Sequence, residues 1–428
     1  MTVAYLFGTF FFLILIGTPI ALSLGIASLI TVVLATDVAV NTIVQNAFTS
    51  LDSFPLLAIP FFILAGSLMS SGGISRRLLD LANVLIGYVV GGLAMVTVVA
   101  SMFFAAISGS GPATVAAIGS FMIPSMKQHN YGAGFAAAIT AAAGSVGVLI
   151  PPSIPFVMYG VVGSVSIGSM FLAGILPGII LGFCLLIIAY AISKKNNYVG
   201  TGEAPSLKDV LKAVNEAKWA LLIPVIILGG IYAGIYSPTE SAAIAALYAL
   251  IIGVFIYREL DLKALYKAFA SAALTNSTTV IIIGFSISFA YLMTLERIPN
   301  TIASFITGAS ENPMIILLII NVFLLVVGMF IDTISALVIL TPILLPVVTS
   351  AEIGMDPVHF GVILVTNLAI GFVTPPLGIN LFVASGTGKV PFEQISKAII
   401  PIFLMMIVAL MVITYIPELS TFLPDLAE

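Results

Sequence analysis

A Pro-Pro pair interrupts an apolar segment twice in this chain, at Pro151-Pro152 and again at Pro375-Pro376. The two copies lie 224 residues apart, and at the same offset Leu68-Met69 corresponds to Leu292-Met293. Proline removes a backbone donor and pushes the preceding residue out of helical geometry, so each apolar segment must break at its pair. The sequence therefore predicts one structural unit used twice, with a broken helix in each copy.

Composition places this unit in a membrane. Hydrophobic residues make up 61% of the 428 residues and charged residues only 7%, whereas soluble domains carry about 25% charged residues. The apolar opening from Thr2 to Leu34 is longer than the core of a cleaved signal peptide, and we expect it to be retained. The single cysteine, Cys184, excludes a disulfide framework. The sequence predicts an all-α polytopic protein of the lipid bilayer, with no surface for nucleic acid.

Positive charges orient the predicted topology. All Lys and Arg residues except Arg297 fall on one side of a single arrangement of spans, which the positive-inside rule assigns to the cytoplasm. Both termini then lie on the opposite side of the membrane. The first span is short for a crossing, which needs about 20 residues. The ten predicted crossings are 3–17, 19–35, 54–71, 131–165, 170–192, 218–236, 239–257, 270–296, 357–386 and 395–415.

Two further apolar stretches, 88–127 and 313–352, each begin and end on one side of the membrane. The first lies between Arg77 and Lys127, and the second lies between Glu311 and Glu352. We predict that both are re-entrant helical hairpins, one entering from each face. Matching elements that enter from opposite faces are typical of inverted-repeat secondary transporters, whose sites lie at broken helices near the midplane.

Amphipathic surface helices are predicted next to these elements. One follows Gly73, one follows Arg297, and one lies in the polar linker with Ser206 as its N-cap. The first two directly precede a hairpin. A helix along the membrane surface at that point would connect a stationary part to a moving part.

The first hairpin turns at a Ser108-Gly109-Ser110-Gly111-Pro112-Ala113-Thr114 motif. Gly and Pro leave backbone groups without helical partners, which a membrane tolerates only where protein or water satisfies them. We interpret the freed carbonyls, with those of Gly144 to Ile150, as ligands for a hard cation. The half-helix beginning near Pro112 would face an anion with its N-terminus. The alternative is a kink that serves only helix packing.

The second half offers the same pair of elements, and Asp332 corresponds there to Ser108. A carboxylate at that depth is costly unless it is paired or binds a cation, so Asp332 is a functional candidate. Alternatively it caps local N–H groups and organises the hairpin. Thr374 and Asn380 flank the second Pro-Pro pair and are candidate ion or substrate contacts, or else cross-helix hydrogen bonds.

The remaining candidates are weak. His129 and His359 lie near predicted loop ends and are interpreted as solvated histidines, and Glu240 as part of a helix cap. The sequence contains no Gly-rich phosphate loop, zinc-ligand pair or nucleophile with a partnered base. We therefore expect no enzymatic activity and no cofactor.

Together these motifs resemble the large membrane subunit of a tripartite ATP-independent periplasmic (TRAP) transporter, over nearly the whole chain. The resemblance implies an elevator-type permease of the bacterial inner membrane with both termini in the periplasm. It also implies coupling to a sodium gradient, a separate small membrane subunit, and an organic acid delivered by a periplasmic binding protein. Overall similarity suggests sialic acid, with C4-dicarboxylates as the other main class.

The resemblance also implies the site residues. One sodium site would lie between each hairpin and its broken helix, with Na+ as the coupling ion. The first site is expected at Ser108, Gly144, Val148 and Pro151, and the second at Gly328, Gly371, Thr374 and Leu377. Candidate substrate contacts at the same turns are Ser110, Thr114, Ser153, Asp332 and Asn380.

The family fold has a scaffold and a moving transport domain. On this chain, 1–87 and 218–312 would be scaffold parts with arm helices, and 193–217 a cytoplasmic linker. The transport domain would comprise 88–192, with hairpin 88–127 and broken helix 131–165, and 313–428, with hairpin 313–352 and broken helix 357–386.

Two competing functions remain open from the sequence. A self-sufficient sodium/anion symporter of the same architecture would take its substrate directly from solution. A channel would need a continuous pore instead of two closed hairpins.

Overall fold

The computed structural model describes residues 2–200, 202, 204–299, 301–302, 308, 312–350 and 353–427, and this part of the chain is built from helices without a strand. Most of the predicted second arm helix and both acidic residues that bound the second hairpin, Glu311 and Glu352, lie outside the described residues. The described α-helices are Thr2–Leu15, Ile20–Ala35, Val40–Thr49, Ala58–Ser71, Ile74–Ile86, Gly92–Ser108, Gly111–Gln128, Ala133–Ser145, Ile154–Gly163, Ile167–Lys195, Leu207–Tyr232, Pro238–Ile251, Leu262–Leu295, Pro313–Gly328, Thr333–Val348, Pro357–Gly371, Ile379–Gly388, Phe392–Ala398, Ile400–Tyr415 and Glu418–Ala427.

Helix boundaries follow the 224-residue offset. The helix that begins at Ala133 corresponds to the one that begins at Pro357, and the end at Ser71 corresponds to the end at Leu295. Both predicted breaks are present, since no α-helix covers Val146–Ser153 or Phe372–Gly378. The repeat inferred from the two Pro-Pro pairs is therefore a repeat of helical architecture.

Five helices are long and apolar enough to cross a membrane alone: Phe54–Ser71, Ile167–Lys195, Leu207–Tyr232, Pro238–Ile256 and Leu262–Leu295. Phe392–Ala398 and Ile400–Tyr415 together meet the same criterion, with a 50° bend between them. The other predicted crossings consist of shorter apolar helices. Two of them, Thr2–Leu15 and Ile20–Ala35, are about 21 and 24 Å long at 1.5 Å per residue. Both are shorter than the roughly 30 Å hydrocarbon core of a bilayer.

Each predicted hairpin is a pair of helices joined by a short turn. The first hairpin consists of Gly92–Ser108 and Gly111–Gln128, and the second of Pro313–Gly328 and Thr333–Val348. The helices of the first pair pack on each other and on Ala133–Ser145, whereas those of the second pair make few contacts with each other and both contact Pro357–Gly371. Thr333–Val348 packs in addition against Leu262–Leu295 and Ile154–Gly163. Each hairpin is therefore held against the broken helix of its own half.

The linker helix differs from its prediction. Ser206 and Asp209 form a capping box, with Ser206 N–H donating to Asp209 Oδ2 at 3.1 Å and Asp209 N–H to Ser206 Oγ at 3.3 Å. The helix does not stop at the membrane surface but continues from Leu207 to Tyr232, because no Gly or Pro interrupts it before Pro224. The predicted cap at Glu240 is confirmed, as a capping box with Ser237.

The helix Ile74–Ile86, which the sequence predicts as an arm, packs against the hairpin helix Gly92–Ser108 and against Leu207–Tyr232. It buries Ile74, Leu78 and Leu81, while Leu85 is 41% exposed. The Arg77 guanidinium donates to Glu259 Oε1 at 2.7 Å and lies 3.6 Å from the centre of the Tyr257 ring. The first turn of this helix is thus joined to the segment that follows the helix Pro238–Ile251.

Candidate functional site

The tip of the first hairpin gathers oxygen atoms. Gly109 adopts the left-handed conformation with φ 60° and ends the first helix. Ser108 Oγ and Thr114 Oγ1 lie 2.9 Å apart, and Thr114 Oγ1 donates to the Ser110 carbonyl at 2.8 Å. Both side chains are buried. A hydroxyl pair and a turn carbonyl that accepts from Thr114 therefore meet at the point where the sequence predicts a cation.

The first broken helix lies directly against this tip. A β-carbon on Gly147 would come within 2.7 Å of Thr114 Oγ1 and 2.9 Å of the Ser110 carbonyl oxygen. One on Gly111 would come within 3.3 Å of the Gly144 carbonyl oxygen. Ile154 N–H donates to the Gly109 carbonyl at 3.3 Å, which ties the second part of the broken helix to the turn. A side chain at Gly147 would clash with the turn, and one at Gly111 would crowd the Gly144 carbonyl, so the two glycines permit this close contact.

Ser153 has a structural role at the break. Its hydroxyl donates to the Val148 carbonyl at 2.6 Å and accepts from Phe156 N–H at 3.3 Å, so it caps the following helix. It is fully buried, as is Thr114. Substrate contact by these two residues stays a prediction, and in this conformation both make internal hydrogen bonds.

The second hairpin meets its broken helix through two glycines. A β-carbon on Gly371 would lie 2.5 Å from the Gly328 carbonyl oxygen. Thr374 Oγ1 donates to the Ile370 carbonyl at 2.8 Å. Leu377, whose backbone is the expected fourth contributor, is 46% exposed. Gly371, Thr374 and Leu377 therefore lie on one segment of chain, which meets Gly328 of the hairpin at a Gly-Gly contact.

Asp332 occupies the N-cap of the helix Thr333–Val348. Its Oδ2 accepts from Ser335 N–H at 3.1 Å, and its Oδ1 accepts from Ser335 Oγ at 2.6 Å. These bonds are the capping alternative that the sequence left open. A role in substrate binding stays a prediction.

Asn380 connects the two halves. Its Nδ2 donates to the Ala141 carbonyl at 3.1 Å and to Ser145 Oγ at 3.2 Å on the first broken helix. Its Oδ1 is buried and has no hydrogen-bond partner among the described residues. The side chain is fully buried, so it joins the two broken helices in the same core.

A cavity of about 640 Å3 opens beside the first hairpin tip. Ser110 and Ala113, at the start of the second hairpin helix, line it, and no side chain caps that helix start. Lys267 is the one charged residue in the described lining, which otherwise combines apolar side chains with ten Ser and Thr residues. Those hydroxyl residues are Ser67, Ser70, Ser71, Ser75, Ser108, Ser110, Ser120, Ser271, Thr275 and Thr279.

The second hairpin borders a different kind of cavity. It measures about 830 Å3 and is lined by apolar side chains from the helices Thr2–Leu15 and Leu262–Leu295 and from the hairpin itself. A space without polar groups cannot replace the hydration of an anion. The hydroxyl-lined cavity is therefore the candidate site for a charged small molecule.

Sequence analysis missed a buried polar cluster in the second half. Asn367 Nδ2 donates to Asn321 Oδ1 at 2.6 Å, and Asn321 Nδ2 donates to Thr414 Oγ1 at 3.1 Å. His359 Nε2 lies 3.2 Å from the Thr414 carbonyl and the ring is 1% exposed. The prediction of a solvated His359 is therefore wrong, because the helix packs its first turn inward, whereas His129 is exposed as expected.

The residues at both breaks fit a sodium ion by their chemistry. Among the described residues no three His, Cys, Asp or Glu side chains form a metal-binding group. The atoms brought together are carbonyl and hydroxyl oxygens, the hard ligands that suit alkali and alkaline-earth cations. The close glycine contacts bring these oxygens from two separate elements to one place.

Comparison with known proteins gives the family. The sequence model described as "Tripartite ATP-independent periplasmic transporter, DctM component" matches residues 7–419. The chain is 51% identical over 417 residues to an isethionate TRAP transporter permease protein, DctMQ, of Oleidesulfovibrio alaskensis, covering 97% of this chain and 65% of that protein. The chain thus spans less than two thirds of the length of this relative.

Other relatives match end to end. The C4-dicarboxylate TRAP transporter large permease protein DctM of Pseudomonas aeruginosa is 40% identical, with 94% of each chain covered. The sialic acid TRAP transporter large permease protein SiaM of Vibrio cholerae is 37% identical, with 97% and 96% covered. The crystal structure of the Alcanivorax borkumensis YdaH transporter aligns with a TM-score of 0.60 at 14% identity, covering 87% of this chain and 86% of that one, and so shares the fold.

Gly371→Ala should separate the second hairpin from its broken helix, because the added methyl group would meet the Gly328 backbone. We expect a destabilisation of about 1–3 kcal/mol, the usual cost of overpacking, together with loss of transport. Gly386→Ala is the matched control, since no atom lies within 4 Å of its β-carbon position. Thermal unfolding of both variants tests this, and equal melting temperatures would contradict the close contact.

Asp332→Asn should keep the helix cap, because asparagine is an equally good N-cap. We expect transport with the ion dependence of the wild type, whereas Asp332→Ala should lose about 1 kcal/mol of stability. The measurement is ion-dependent uptake alongside thermal unfolding. A fully stable Asn variant that needs far more cation would show that Asp332 binds the ion.

Proposed function

The chain belongs to the DctM component family of tripartite ATP-independent periplasmic transporters, and from that premise we propose that it is a sodium-gradient-driven importer of an organic acid. The observation that carries the proposal is the pairing of each hairpin tip with a broken helix through glycine contacts. The site of action is the bacterial cytoplasmic membrane.

In this proposal each pairing holds one sodium ion. Ser108 Oγ and the carbonyls of Gly144, Val148 and Pro151 would hold the first ion. The carbonyls of Gly328, Gly371 and Leu377, with Thr374, would hold the second. The ions supply positive charge next to the hairpin tips, which lowers the cost of bringing an anion there. Coupling follows because anion binding is weak until the cations are present.

The organic acid would bind in the hydroxyl-lined cavity. Its anionic group would lie at the start of the helix Gly111–Gln128, where Ser110 and Ala113 line the cavity and no side chain caps the helix. A helix N-terminus favours a negative charge through its partial positive charge and free donors. The remaining hydroxyls of the cavity would bind the polar part of the substrate.

Movement of the transport domain would carry this site across the membrane. The two hairpins and two broken helices would move together, since Asn380 links the broken helices and each hairpin packs on its own broken helix. The arm helix, fixed to the scaffold through Arg77 and Glu259, would act as the hinge. A separate small membrane subunit would support the scaffold, and a periplasmic binding protein would deliver the substrate.

The substrate class is a small organic anion. A relative named for isethionate is 51% identical, compared with 37% for one named for sialic acid and 40% for one named for C4-dicarboxylates. We therefore propose isethionate, a two-carbon sulfonate, as the first substrate to test. Sialic acid, which overall similarity suggested, comes after it.

The test is uptake into proteoliposomes that hold this chain and its small partner. Radiolabelled isethionate, succinate and sialic acid would be offered with and without an inward sodium gradient and the cognate binding protein. We expect uptake of one of them only when both are present. Uptake with sodium alone would show a self-sufficient symporter, and uptake independent of sodium would contradict the proposal.

Ser108→Ala should weaken the first sodium site, because it removes a hydroxyl ligand and the partner of Thr114. We expect the sodium concentration for half-maximal uptake to rise about tenfold, the effect of losing one bond to a charged group. Ser120→Ala, also in the cavity wall but outside the turn, should leave it unchanged. Equal sodium curves for wild type and Ser108→Ala would remove Ser108 from the site.

A further inference from the structure

We propose that Lys267 and the hydroxyls around it form a second anion subsite, at the cytoplasmic end of the cavity, where the organic acid is held as it leaves the hairpin tip. The inference rests on the proposed function, because it concerns the same cavity and the same substrate. Lys267 lies outside both hairpin turns and both Pro-Pro breaks, so the subsite is separate from the proposed ion sites.

A polar stripe runs along one face of the helix Leu262–Leu295. Lys267, Ser271, Thr275 and Thr279 recur every four residues, and all of them line the cavity. Residues four apart lie above one another on a helix, so this stripe spans about 18 Å at 1.5 Å per residue. It leads from the part of the cavity beside the hairpin towards the end that the positive-inside rule assigns to the cytoplasm.

The opposite wall supplies a second row of hydroxyls. Ser67 Oγ donates to the Ala268 carbonyl at 2.9 Å, which fixes the last turn of the helix Ala58–Ser71 beside the first turns of the longer helix. Ser70, Ser71 and Ser75 follow along this wall. Lys267 therefore lies on one wall of the cavity, and the serines lie on the opposite wall.

One of these hydroxyls has no partner in the protein. Ser75 is 3% exposed, lines the cavity, and its Oγ makes no hydrogen bond among the described residues. A buried hydroxyl without a partner costs stability and is usually satisfied by water or a ligand. Ser75 and Lys267 line the same cavity, so a hydroxyl without a protein partner and a cation are both available there to a polar ligand.

The charge of Lys267 is also uncompensated. No Asp or Glu is among the described residues that line the cavity, and the one ion pair found in the described part of the chain joins Arg77 to Glu259. Lys267 is exposed to the cavity, so its ammonium group keeps its hydration until an anion arrives. A cation placed in this way attracts an anion without trapping it, which suits an exit.

The predicted effect depends on the side of the membrane. Substrate inside the vesicle should inhibit uptake, because it occupies the inward-facing cavity. Lys267→Gln should raise the internal substrate concentration needed for half inhibition about fivefold, since one solvent-exposed charge pair is lost. The external concentration for half-maximal uptake should stay unchanged. Lys267→Arg should behave like the wild type, and Lys267→Glu should show the largest rise.

Salt separates a charge effect from a structural one. Raising internal salt from about 0.1 M to about 1 M shortens the Debye length from about 10 Å to about 3 Å. The wild type should then lose internal affinity, whereas Lys267→Gln should change little. Lys208→Gln removes the same charge from the same side of the membrane, away from the cavity, and is the matched control.

The experiment measures trans-inhibition by internal isethionate in proteoliposomes of the complete transporter, with each variant checked for monodispersity and melting temperature. A fivefold internal shift that depends on salt and is rescued by Arg supports the subsite. Unchanged internal affinity in Lys267→Gln and Lys267→Glu, in a preparation that still shows sodium-driven uptake, overturns it and leaves the proposed function intact. Absence of sodium-driven uptake in the wild type overturns the proposed function and the subsite with it.

Discussion

Everything in this structure depends on how the backbone is satisfied where a membrane helix is broken. Lipid offers no hydrogen bonds, so the groups freed at a break must find partners inside the protein. Here each break lies against the tip of a hairpin, and glycines at Gly147 and Gly371 let the two backbones approach within the reach of hydroxyl and carbonyl oxygens. The same close approach that hides the broken backbone concentrates oxygen ligands. The proposed ion sites therefore use the geometry that the broken backbone needs for its own stability.

The two halves solve this problem differently. The first half uses hydroxyl side chains, with Ser108 and Thr114 bonded to each other and Ser153 capping the next helix. The second half uses a bare Gly-Gly contact and an aspartate cap, and it has a separate buried cluster around Asn321 and Asn367. The cavities differ in the same way. Many hydroxyl side chains line the cavity beside the first hairpin, whereas apolar side chains line the cavity beside the second. Equivalent elements thus border one cavity with many hydroxyls and one apolar cavity.

The elements with strong local signals could be predicted from sequence. Proline pairs fix the breaks, Gly and Pro fix the first hairpin turn, and Ser206 begins a helix at its predicted position. Features that depend on contacts between distant segments could not be predicted. His359 is buried by packing against Thr414, and Asn380 finds its partners on the other half of the chain. The stripe from Lys267 to Thr279 was visible as polar residues four apart, but only the facing wall shows that it lines a cavity.

Sodium binding at the broken helices is the central claim, and a titration of thermal stability tests it without any assumption about substrate. The purified complex would be heated in increasing NaCl, with choline chloride keeping the ionic strength constant. A ligand that binds only the folded state raises the melting temperature as its concentration exceeds its dissociation constant. The account predicts a saturable rise with sodium that is reduced in Ser108→Ala. Identical melting curves in sodium and choline would contradict it.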